Sequence, residues 1–180
     1  TPMQSRARHS DLVMIETLQH VHEVSSNLGL FVAELLARSA GHDASKFESV
    51  EFERLVDLRV FQEKHGKAKF GTPEYEQQKA ILGPMLEHHY SQNTHHPEHF
   101  SNGVSGMTLF DVVEMVCDWR AASFRDGDDD PVLNLTFLCE KYGIPPMLAS
   151  IIANTANVME WRHSLDQSKI VNVHGPSKTD

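Results

Sequence analysis

The chain has 180 residues and a formal charge of −9, enough length for one globular domain with its own core. The acidic balance excludes an extended nucleic-acid surface, which would cluster Lys and Arg. It leaves room for a small phosphorylated ligand whose charge is met locally, for example by metal ions. No apolar run approaches the ~18 residues that cross a bilayer, and the segment Thr1–Ser10 lacks the apolar core of a secretory signal. Cys117 and Cys139 fit neither a disulfide framework nor a metal-type spacing. These features predict a cytoplasmic protein with no membrane partner.

Residues 1–9 read as a tail. From Asp11 to about Ser39 apolar residues recur at helical spacing, among them Leu12, Ile15, Leu18, Leu28 and Leu35. Ser10 is the expected N-cap, and Gly41 ends the helix immediately before His42-Asp43. A second helix is expected over 45–64, followed by a basic, Gly-containing loop. A third is expected from Pro73 to Tyr90, with Thr72 as cap and Pro73 in the first turn. Ser91–Gly106 reads as a loop. Thr108 caps a helix reaching about Phe124, and Arg125–Pro131 is an acidic turn. Two weaker helices, about 132–141 and 146–163, precede a tail over 164–180. No segment alternates as a strand would, so the expected fold is all-α: one helical domain over 10–163 with five to seven helices. The apolar residues of the C-terminal helices permit a homo-oligomer.

Histidine is the unusual residue. There are twelve, and five of them fall between positions 88 and 99. Neutral imidazole is the commonest protein metal ligand. His20 shares a helical face with Val13, Val24 and Phe31, which predicts that it points inward, where it needs a hydrogen bond, a charge partner or a metal; His22 is the alternative. His42-Asp43 follows one helix later. Asp118 sits mid-helix among Val112, Met115 and Ala122, where an unpaired carboxylate would be destabilising. Asp111, seven residues earlier, competes with it as a ligand or simply favours the helix N-terminus. Glu114 lies near the same face. His88-His89 and His95-His96-Pro97-Glu98-His99 stand between these groups. His99 is expected at the surface, and Trp119 and Phe110 in the core.

A histidine, then His-Asp, then Asp on successive helices resembles the HD-domain metal-dependent phosphohydrolases. His42-Asp43-Ala44-Ser45-Lys46 is similar to that superfamily's H-D-x-x-K segment, and Cys117-Asp118 with Ala121-Ala122 is similar to the segment supplying its last ligand. Most of the chain also resembles a small HD-type family of bacteria and phages. The resemblance implies His20, His42, Asp43 and Asp118 as ligands, with His88, His89, His95 and His96 as additional ligands for a second ion. It also implies a Lys46 near phosphate.

Mixed imidazole and carboxylate donors suit one or two divalent transition-metal ions (Fe, Mn, Co, Ni or Zn). Asp43 is the natural bridging ligand. Lys46 neutralises developing phosphate charge, and Glu98 or Glu114 passes protons. The expected activity is hydrolysis of a nucleotide or similar small phosphate ester. A dinuclear-iron oxygenase and a nucleotide-binding module with a vestigial site are the alternatives.

Overall fold

The computed structural model describes residues 2–68, 72–124 and 131–165. The described residues form seven α-helices: α1 Pro2–Gly41, α2 Ser49–His65, α3 Pro73–Ile81, α4 Gly83–Gln92, α5 Leu109–Ser123, α6 Leu135–Tyr142 and α7 Pro146–Val158. Short 3-10 turns at Ala44–Phe47, Pro97–His99 and Gly103–Gly106 join them. The only β pairing among the described residues is an isolated bridge between Leu133 and His163. The fold class is therefore all-α. No helix among the described residues is long and apolar enough to cross a membrane.

The chain divides into two compact units, Thr1–His42 and Asp43–Asp180. The first is α1 alone. This helix begins well before the expected start: residues 2–9 continue it, and Ser10 lies inside it rather than at its cap. His20 does not point inward either. It is exposed, as are Val13 and Val24, because a lone helix has no second element in its own unit to bury a face.

In the second unit, α2 packs on α4 and α3, and α6 on α7. The helix expected over Pro73–Tyr90 is two helices. Thr72 caps α3, accepting from the Tyr75 amide at 3.2 Å as expected, but Pro84 has no N–H to continue the ladder, and the chain restarts at Gly83. Thr108 caps α5 in a reciprocal capping box with Asp111. The apolar core gathers Met115, Val116 and Trp119 of α5 with Leu133, Leu135 and Ile144 and with Ala149, Ile152 and Ala153 of α7. Trp119 stacks on Tyr142 at 5.6 Å between ring centroids, a core position as expected. The interior between α2 and α4 is polar instead: Glu51 and His89 are buried there. Most of the acidic turn (125–130) and the C-terminal tail (166–180) lie outside the described residues.

Candidate metal centre

Asp43 opens the second unit and has left-handed backbone, φ 54° and ψ 22°. A non-glycine residue there is strained by about 1–3 kcal/mol, which surrounding contacts must over-determine; Asp tolerates this region better than most residues. The following 3-10 turn carries Lys46 back over it, and the ammonium pairs with Asp43 Oδ2. That leaves Oδ1 facing two imidazoles, with His89 Nε2 at 3.3 Å and His95 Nε2 at 3.5 Å.

α4 supplies His89, in the helix's last turn and buried at 3 % exposure. Behind it stands Glu51 of α2, whose Oε2 accepts from His89 Nδ1 at 2.9 Å. Glu51 is 0 % exposed, and its other oxygen accepts from His88 Nδ1 at 2.7 Å. With Nδ1–H donated to Glu51, the His89 lone pair sits on Nε2 and points at Asp43. Asn93 ends α4, and its amide donates to Ser45 Oγ at 2.8 Å and to the His89 carbonyl at 2.8 Å. This ties the helix end to the turn that carries Asp43.

The loop after α4 brings His95 and His96. His95 is 2 % exposed, and its Nδ1 lies 3.1 Å from Glu114 Oε1 of α5, which turns Nε2 towards Asp43. His96 Nε2 lies 3.0 Å from His89 Nε2. Burial, reinforced by the neighbouring His95 and His89, pushes the His96 pKa down to about 3, so its ring is neutral at physiological pH. One donor atom each from Asp43, His89, His95 and His96 fits within a common span of 4.8 Å.

The donor set fits a transition-metal ion. Two ligand nitrogens, each about 2.1 Å from an ion and at right angles, lie about 3.0 Å apart, which is the observed His89–His96 spacing. Imidazole and carboxylate without thiolate suits Fe, Mn, Co, Ni or Zn. A carboxylate behind a ligating imidazole is the usual outer support of such sites, and two of the three rings have one.

Of the expected site residues, the structure brings together Asp43, His89, His95 and His96, with Lys46 and Glu114 against them, and it places a carboxylate oxygen of Asp118 within 4.8 Å of one of Asp43's. His88 stands outside that cluster. Its Nδ1 is turned to Glu51, and its Nε2 lies 3.5 Å from Glu48. Glu98 is exposed. Asp111 is buried, but its oxygens accept from Thr94 and from the Thr108 amide and hydroxyl, so it holds the start of α5. Asp118 is half-buried on α5, one turn beyond Glu114. His42 closes the first unit and is bonded directly to Asp43; His20 lies on α1. His99, expected at the surface, is half-buried, with Nδ1 on the Tyr90 carbonyl at 2.7 Å.

The sequence reading passes over three participants: Glu51, Ser45 and Asn93. A signal for Glu51 exists in its setting, an acid within the apolar run Phe47, Val50, Phe52 and Leu55. No curated protein and no solved structure matches the chain. The family described as "Family of unknown function (DUF5662)" matches residues 9–172, and the chain belongs to it.

Proposed function

We propose that the second unit holds a divalent transition-metal centre that hydrolyses a phosphate ester of a nucleotide or a similar small molecule. The observation that carries this reading is the convergence of Asp43, His89, His95 and His96, with Glu51 and Glu114 behind two of the rings. Surface histidines in a loop would not each need a carboxylate on the far nitrogen. The same backing carboxylates favour a working centre over a vestigial one.

When bound, such an ion polarises a phosphoryl oxygen and acidifies water, the two needs of ester hydrolysis. The chain's own groups have separate tasks. Glu51 fixes the tautomer of His89, so its Nε2 lone pair faces inward, and Glu114 stands against Nδ1 of His95 and orients that ring. Glu114 is thus assigned a positioning role, and proton transfer is assigned elsewhere. Lys46 holds Asp43 in its strained conformation and places positive charge beside the carboxylate, where a phosphate dianion would be attracted. Glu98, exposed on the adjacent loop, is the carboxylate assigned to proton transfer to a leaving group.

The test is phosphate release from a panel of nucleoside mono- and triphosphates, with protein reconstituted separately with Mn, Co, Fe, Ni or Zn. Asp43→Asn is the control, because Asn tolerates left-handed backbone and keeps the turn intact. Release by the wild type that the variant loses supports the reading. Equal release by both, or none with any metal, contradicts it. The three-imidazole donor set also suits iron, so oxygen consumption by the iron-loaded protein distinguishes an oxygenase.

A further inference from the structure

Taken by itself, α1 is a 40-residue helix, about 60 Å long. Met14, Leu18, Val21, Leu28, Val32 and Leu35 follow one another at alternating steps of four and three, with Ser25 filling the single gap. This is the 3.5-residue seam of helices that pack side by side. From Met14 to Leu36 the only Asp, Glu, Lys or Arg residues are Glu16, Glu23 and Glu34, all on the face away from the seam. The flanking positions add Ile15, Val24 and Leu36, alongside Thr17, His22 and Gly29. Leu18, Val21, Leu28 and Leu36 are 59 %, 57 %, 61 % and 65 % exposed.

The seam is also symmetric about its centre. Leu18 and Val32 stand seven residues on either side of Ser25, Ile15 and Leu35 ten, and Met14 and Leu36 eleven. A two-fold interface uses the same patch on both partners, so that each residue of a pair meets its counterpart. A helix turned end for end on itself at Ser25 lays these large apolar residues against one another towards both ends, sets Val21 opposite Gly29, and leaves the two small serines at the crossing.

We propose that this face is covered by α1 of a second copy of the chain, paired antiparallel with Ser25 near the two-fold axis. The area suffices. About eight apolar side chains, at roughly 100 Å² each, give about 800 Å² per partner, the share found in a stable interface of standard size. The proposal is independent of the metal centre.

Sedimentation equilibrium of the full chain tests it. The wild type is expected at twice the chain mass. Leu18→Glu with Leu28→Glu is expected at the single mass, with its helical circular dichroism retained. Ser25→Cys in a Cys117→Ser, Cys139→Ser background is expected to form a disulfide-linked dimer under mild oxidation, which reports on the pairing even if the charged variant misfolds. A monomeric wild type, a dimer that the charged substitutions leave intact, or a Ser25→Cys chain that does not cross-link overturns it. The first of these outcomes would mean that the face is covered within one chain.

Discussion

Glu51 Oε2 lies 2.9 Å from His89 Nδ1, and the opposite nitrogen of the same ring faces Asp43 Oδ1 at 3.3 Å. A fully buried carboxylate thereby sets the tautomer of an imidazole whose other end belongs to the candidate centre. Glu51→Gln removes the charge while keeping the shape. It should weaken metal binding by about 10–100-fold, the usual effect of losing such outer support, as read by competition with a chromophoric chelator. Glu51→Ala leaves two imidazoles without their acceptor and should lower folding stability by about 3–5 kcal/mol, measured by urea unfolding. Unchanged affinity in Glu51→Gln would mean that His89 is not a ligand.

His88 and His89 are adjacent but face different groups. His88→Ala removes a donor to Glu51 and should leave metal stoichiometry intact. His96→Ala removes a nitrogen 3.0 Å from His89 Nε2 and should reduce bound metal. Elemental analysis of both variants decides the matter; equal losses would place His88 in the centre.

Acid should destabilise the metal-free protein early. Burial alone would raise the Glu51 pKa, but hydrogen bonds from His88, Ser45 and His89 outweigh it and hold the carboxyl below its ordinary 4.5. The His96 value falls from 6.5 to about 3. In both cases the folded value is depressed, so the unfolded chain binds more protons as pH falls. The His96 contribution is complete above about pH 6.5 and declines towards pH 3; that of Glu51 declines below about pH 4.5. Urea midpoints of chelator-treated protein should fall steadily from about pH 7 to about pH 4, and His96→Asn should flatten the upper part of that slope. A profile identical in wild type and variant would contradict the assignment.

Gly106 closes the turn before Thr108. A Cβ there would come within 2.8 Å of the Phe100 side chain and also collide with Asn102. Gly106→Ala should therefore cost about 1–3 kcal/mol, as overpacking does, and loosen the capping of α5 that places Glu114 behind His95. Thermal melting shows the first effect, and a lower metal affinity shows the second. A melting temperature equal to wild type would mean that Phe100 and Asn102 move aside freely.

The helices of the second unit are legible in the sequence because caps and prolines act locally. Thr72, Thr108 and Gly143 sit where helix ends need them. The Gly83-Pro84 restart is harder to see, since the apolar spacing from Tyr75 to Met85 and Leu86 continues across it. Asp43, His89, His95 and His96 are recoverable as residue types, because few other functions explain so many imidazoles in so short a stretch. What the sequence withholds is pairing. Glu51 occupies the first turn of α2, where an acid is ordinary, and only its approach to His88 and His89, 37 and 38 residues away, gives it another role. Asp111 is the converse, an acid that looks available until Thr94 and Thr108 occupy it. His20 illustrates a third limit: periodicity shows that a helix has an apolar face, but not what covers it.

The central claim, a transition-metal centre built on Asp43, is tested most directly by metal content per chain. The protein should be prepared without a histidine tag, reconstituted and dialysed, with Asp43→Asn treated in parallel. The expected result is about one or two ions per chain in the wild type and a marked loss in the variant, with the helical signal preserved. Wild-type protein that retains no metal, or a variant that retains as much as the wild type, would contradict it.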